Sequence, residues 1–193
     1  MTKLIAILIL ALTCATAFAQ SVIVKGTGAG AVHRSGTGAG SVRGVVTITF
    51  TNYCDGRFTV WNTNQDVVLD NDSGITWTRD ANILGHGTNW QGAIDYCSNL
   101  TYTTYDDWRL PSIAELSRYV TSGGSTNGLM DTYPSANNPA LPLGHPFTNI
   151  QSERYWTSVA YSEARAWFLY KTTGNLEYYF KTETYYVWPC RGP

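Results

Sequence analysis

Four cysteines, three histidines and two acidic clusters are the residues of this chain whose types could do chemistry. Cys14, Cys54, Cys97 and Cys190 form no CxxC pair and have no neighbouring His, which speaks against a structural zinc site. His86 and His145 stand among Gly and Pro in loop-like sequence, and His33 lies in a Gly-rich arm; isolated loop histidines read as solvated. Asp106-Asp107 could act as an acid/base pair, but adjacent carboxylates point apart, and nearby Arg109 offers an ion pair. The run Asp70-Asn71-Asp72-Ser73-Gly74 spaces its oxygens as a calcium loop does, yet the closing Glu of the twelve-residue loop is missing. A tight turn with Gly74 at positive φ is the better reading. Neither G-x-S-x-G nor H-E-x-x-H occurs. No catalytic residue, metal or cofactor is assigned, and the chain is read as a non-enzyme.

Contact chemistry is a different matter. Residues 155–191 carry Tyr161, Tyr170, Tyr178, Tyr179 and Tyr185, interleaved with Arg165, Lys171 and Lys181. Tyrosine combines a large rigid face with a hydroxyl at low entropic cost, so it serves sugar and peptide contacts equally. These eight residues are the candidate ligand-binding set, and the partner they suit is an extracellular glycan or protein. Neither of the lectin tripeptides Glu-Pro-Asn and Gln-Pro-Asp is present, which disfavours calcium-dependent sugar binding. The net charge of −1 leaves no global field for nucleic acid.

The elements that must position these side chains follow from periodicity. Residues 155–191 hold four strand-like runs, a meander closing a small mixed domain. Residues 45–50 alternate as a strand, residues 57–61 and 65–69 read as a hairpin, and residues 75–77 as another strand. In residues 89–100, Trp90, Ala93, Ile94, Cys97 and Leu100 recur at helical spacing, so Cys97 points inward. Ser112 and Glu115 have capping-box spacing for a second helix with Ile113, Leu116 and Val120 on its apolar face, ended by Gly123-Gly124. Residues 124–151 read as a long polar surface loop.

Residues 1–19 have the cationic start, short apolar run and Ala17-Phe18-Ala19 end of a signal peptide. The apolar run is too short to span a membrane, and Leu12-Thr13 before Cys14 makes a poor lipidation box. The chain is therefore expected to be secreted or displayed at the cell surface. Residues 20–44 form a Gly-rich arm in which GTGAGAV recurs as GTGAGSV, a candidate homo-oligomer contact; residues 45–193 form the domain. Cleavage leaves Cys54, Cys97 and Cys190, an odd count that permits one bridge with a spare thiol, or an intermolecular bridge.

Arg57-Phe58-Thr59-Val60, Val68-Leu69-Asp70-Asn71, Gly74-Ile75-Thr76-Trp77, Trp90-Gln91 with Ala93 and Tyr96-Cys97, Asp107-Trp108-Arg109-Leu110-Pro111 with Glu115-Leu116, Tyr155-Trp156-Thr157-Ser158, Ala166-Trp167 and the Tyr186–Gly192 ending come in one order. In that order the chain resembles the Lcl-type domain of bacterial collagen-like adhesins. The resemblance implies an α+β, C-type lectin-like fold: a twisted antiparallel sheet, two helices and long surface loops. It implies binding, with sulphated glycosaminoglycans as the adhesins' ligand class, although the collagen-like stalk is absent and cations are scattered. It also implies a Cys97–Cys190 disulfide with Cys54 as the spare, although Cys190 stands one residue later than the family's usual ending. The same ending is similar to variable proteins of diversity-generating retroelements, in which a frame (here Tyr155, Trp156, Ser158, Ala166, Trp167, Gly174, Val187, Pro189, Arg191) stays fixed. Rewritten positions would be among Tyr161, Ser162, Tyr170, Tyr178, Tyr179, Thr184 and Tyr185. A structural or assembly protein is a third reading. An enzyme on the related formylglycine-generating fold would need a reactive cysteine pair, which the inward Cys97 and strand-borne Cys190 do not resemble.

Overall fold

The computed structural model describes residues 18–24, 46–54, 56–61, 64–120, 124–125, 127–130 and 141–192. Most of the expected leader with Cys14, and residues 25–45 with His33, lie outside the described residues. The architecture is α+β with antiparallel sheets. The larger sheet has the order β1(Phe18–Val24), β2(Val46–Tyr53), β3(Phe58–Trp61), β4(Asn64–Asp70), β5(Thr76–Thr78), then β11(Cys190–Arg191). The smaller is the meander β8(Arg154–Ala160), β9(Arg165–Tyr170), β10(Asn175–Phe180), with β9 at its centre. The fourth strand-like run of the C-terminal stretch does not extend this meander; it crosses to pair with β5 in the larger sheet.

Alternation explains how the meander is held. Tyr155 of β8 lies opposite Leu169 of β9, and both enter a first core cluster with Phe58, Val68, Trp77, Leu116 and Trp188. Their neighbours Trp156 and Phe168 are also register partners, and they enter a second cluster with Ala93 and Cys97. Side chains of successive residues leave a strand on opposite faces, so the base of the meander is buried on both sides. The helical stripe meets the second cluster through α1(Trp90–Asn99), capped by Asn89, whose side chain accepts from the Gly92 amide at 2.8 Å.

The second helix is shorter than its sequence suggests. The capping box of Ser112 and Glu115 is formed, but α2 spans only Ile113–Leu116. Ser117 leaves the helix in extended conformation and bridges Met130. Leu129 donates to the Glu115 carbonyl and Met130 to that of Leu116. Tertiary pairing thus overrides helix propensity, and β6(Tyr119–Val120) with β7(Gly124–Ser125) follows where two more turns were expected. The long loop is correspondingly not all surface: Leu129, Met130 and Phe147 are buried in the first cluster. Gly128 makes the close approach possible, since a Cβ there would lie 2.3 Å from the Ser117 carbonyl atoms.

The tight turn after β4 is confirmed, with Gly74 at φ 73°. Its first carboxylate is engaged by protein, because Arg57 forks onto Asp70 at 3.2 and 3.0 Å. Among the described residues, no group of three or more His, Cys, Asp or Glu is placed to hold a metal ion.

His145 is not the solvated loop histidine its sequence suggests. It is half-buried, its Nδ1 accepts from the Phe147 amide at 3.2 Å, and its ring lies 5.9 Å from that of Phe147. Burial, with a smaller effect from Lys171, holds its pKa below the ordinary value. The unfolded chain therefore binds the proton more readily than the folded one, so this contribution to stability is full above about pH 6.5 and is lost as pH falls through the folded value. Urea titrations at stepped pH should show stability falling below that point, and His145→Gln should flatten the fall.

Candidate functional site

The turn of residues 161–164 between β8 and β9 is closed by the amides of Tyr161 and Ser162, which donate to the Arg165 carbonyl at 2.9 and 3.0 Å. That closure carries Tyr161 across the sheet onto β10. Its ring stacks on Tyr178 with centroids 3.6 Å apart and planes 5° from parallel. A hydrogen bond between the two phenols raises the pKa of Tyr161. Trp167 lies opposite Tyr178 in register and sets its edge against both rings, at 5.8 and 5.1 Å. The Arg165 guanidinium covers the Phe180 ring at 4.8 Å and approaches Tyr178 at 5.9 Å. Tyr161 is 49% exposed, Tyr178 36%, Phe180 41% and Tyr179 48%. Arg165 makes no ion pair among the described residues, which leaves a cation beside an exposed aromatic ledge.

The eight predicted binding residues do not form one surface. Tyr178 faces Trp167 in register, whereas Tyr179 faces Ala166, so the two adjacent tyrosines point to opposite sides of the sheet. Tyr161, Arg165 and Tyr178 come together on one side. On the other, Tyr185 packs half-buried against Trp156 at 4.4 Å and Phe168 at 4.8 Å. Tyr170 packs beside the second cluster, under Arg154 at 4.5 Å. Tyr179 stands exposed at the margin of that side. Lys181 lies 4.2 Å over the Trp90 ring, and Lys171 is half-buried in the β9–β10 turn, where desolvation lowers its pKa. Sequence reasoning did not place Trp167 and Phe180 in this group of rings. The signal was the alternation in Arg165-Ala166-Trp167-Phe168, which assigns Trp167 to the face of Arg165 and away from the buried pair.

The cysteines correct a further expectation. Cys97 and Cys190 are both free thiols and fully buried; the expected bridge between them is not made. Cys190 lies opposite Trp77 in the β11–β5 pair and belongs to the first cluster, whereas the helical stripe delivers Cys97 to the second. The Cys190 sulfur instead accepts from Arg109 Nη1 at 3.4 Å. Burial pushes the Cys97 thiol up to about 12 and raises that of Cys190. Both are protonated at neutral pH and are poor nucleophiles.

Arg109 does not pair with the Asp106-Asp107 couple either. It forks onto Glu115 at 2.9 and 2.7 Å and donates to the Gly192 carbonyl at 2.7 Å. Asp107 is held by Arg191 at 2.6 and 3.0 Å, and this guanidinium, by hydrogen bonding, lowers the Asp107 pKa. The ionised pair suits a structural clamp on the last strand.

No helix among the described residues is long and apolar enough to cross a membrane. The sequence model of the Lcl C-terminal domain family matches residues 66–191, which is well over half of the chain. No curated protein matches the chain.

Proposed function

The chain belongs to the Lcl C-terminal domain family, and from that membership we propose that it is an exported, non-catalytic binding module of the cell-surface adhesion type. Its arrangement would be the C-type lectin-like one, and its ligand an extracellular glycan or protein. The observation that carries this reading is the ledge of Tyr161, Tyr178 and Phe180, exposed beside Arg165 and backed by the half-buried Trp167, on a sheet whose base is buried on both faces. Such a platform is held rigid before contact, so little freedom is lost on binding.

The test is a screen of the full chain against immobilised glycans, glycosaminoglycans and surface proteins, repeated with three variants. Tyr161→Ala and Tyr178→Ala should each weaken the captured ligand at least about tenfold. Thermal stability should stay within about 1 kcal/mol of the parent, because both rings are exposed. Tyr179→Ala, on the other side of the sheet, should change affinity much less. Loss of binding in Tyr179→Ala alone would move the site across the sheet.

A second reading, a variable receptor of a diversity-generating retroelement, is favoured by burial. Of the frame positions, Tyr155, Trp156, Ala166, Gly174, Val187 and Pro189 are buried, Trp167 and Arg191 half-buried and Ser158 exposed; of the rewritten positions, Tyr161, Ser162, Tyr178, Tyr179 and Thr184 are exposed and Tyr170 and Tyr185 half-buried. An imperfect copy of the codons for residues 155–191 beside a reverse transcriptase gene, differing at adenines, would establish it; an absent copy would remove it.

A further inference from the structure

The meander has one covered edge and one open one. The β8 edge is occupied: the Trp156 amide donates to the Tyr186 carbonyl, the Tyr186 amide to that of Arg154, and the Ser158 amide to that of Pro111. The β10 edge pairs with no other strand among the described residues. Exposed strand edges are usually blunted by Lys, Pro or a bulge. Asn175–Phe180 contains neither residue, and its register with β9 runs without a shift. Instead it offers Tyr178, Tyr179 and Phe180, all exposed, with Glu177 as its one charge.

The ladder fixes which backbone groups are open. The Lys181 amide donates to the Ala164 carbonyl, so these two residues form a hydrogen-bonded pair. In an antiparallel ladder such pairs alternate, so Tyr179 opposite Ala166 and Glu177 opposite Phe168 turn their backbone groups toward β9. Leu176, Tyr178 and Phe180 turn theirs outward. We propose that two copies of this chain join at this edge, β10 against β10, antiparallel about a two-fold axis through Tyr178.

That register satisfies the outward groups of all three residues at once. On one face it sets Tyr178 against its own copy and Leu176 against Phe180. On the other it sets Glu177 against Tyr179, so the strand's one charge never opposes itself. Like charges directly opposite would destabilise the pair; this sequence avoids them in the register that also pairs the backbone. A two-fold contact of this kind is closed and self-limiting. It would merge the two meanders into one sheet and bring two copies of the Tyr161–Trp167–Tyr178 ledge side by side, so that two weak contacts act as one.

Sedimentation equilibrium of the full chain over a range of concentrations tests the pairing independently of any ligand. The parent should approach twice the chain mass. Phe180→Lys, which places a cation against Leu176 of the second copy, should raise the dissociation constant at least tenfold while melting cooperatively. Register is tested by charge: Tyr179→Lys should preserve or tighten the dimer, because the new cation opposes Glu177. Adding Glu177→Lys to that variant opposes lysine to lysine twice and should break it. A monomer at every concentration overturns the proposal and leaves the edge to an extended segment of another protein. A dimer indifferent to both Phe180→Lys and the double variant overturns it equally.

Discussion

Replacing Arg57 by Ala should destabilise the fold by about 3–5 kcal/mol. The Asp70 carboxylate is fully buried, and Arg57 meets both of its oxygens. The same guanidinium donates to the carbonyls of Gly128 and Leu129 at 3.1 and 2.9 Å and lies 4.6 Å over the Phe58 ring. Truncation would leave a buried charge with the Asp72 amide, at 3.2 Å, as its remaining hydrogen-bond donor among those described. It would also free the segment whose Leu129 and Met130 fill the first cluster. The cost arises from stranding the partner more than from losing attraction, so removing both charges should cost less than removing one. Urea unfolding of Arg57→Ala, Asp70→Leu and the double variant forms the cycle that separates the terms. Arg57→Lys should fall between, because an ammonium cannot reproduce the fork. A loss under 1 kcal/mol in Arg57→Ala would mean that the β3–β4 hairpin and residues 128–130 are held by packing alone.

This ion pair also marks the boundary of what the sequence discloses. Local periodicity was legible: the stripe of Trp90, Ala93 and Cys97 gave α1, and alternation gave the β3–β4 hairpin and the meander. The capping box gave the start of α2 but not its length, because Ser117 is captured by Met130, which lies in a stretch read as polar loop. Partners far apart in sequence were not legible. Asp107 has Arg109 two residues away, yet binds Arg191, and Arg109 turns to Glu115. A carboxylate pairs with the cation that the backbone brings to it, and nearness along an extended chain does not provide that. The candidate binding residues divide for the same reason. Tyrosine content pointed to the strands that carry the exposed rings, but adjacent Tyr178 and Tyr179 point apart once the strand is paired, and Trp167, read as frame, is half-buried against Tyr178. The implied disulfide failed at the same level: inwardness of Cys97 is a helical property, whereas pairing depends on which of two clusters receives each thiol.

Trp188→Ala should produce the second large effect, a loss of about 3–5 kcal/mol. Trp188 is fully buried where three parts of the chain converge. Its ring meets Trp77 of the larger sheet at 5.7 Å, Tyr155 of the meander at 5.7 Å and Phe147 of the long loop at 5.1 Å. Its indole N–H donates to the Thr78 carbonyl at 3.0 Å, so truncation leaves both a cavity and an unpaired buried acceptor. Trp188→Phe keeps a ring in the cavity and loses chiefly the hydrogen bond, and should cost about 1–3 kcal/mol. Hydrogen exchange of Trp188→Ala distinguishes two architectures. If this one side chain couples the sheets, protection should fall together in β5 and in β8–β9, and the melt should stay a single transition. If protection falls in β5 and β11 alone, the meander is a separate cooperative unit resting on α1 and the second cluster. The exposed ledge of Tyr161 and Tyr178 would then keep its shape when the larger sheet opens, and ligand binding would survive a substitution that melts half the fold.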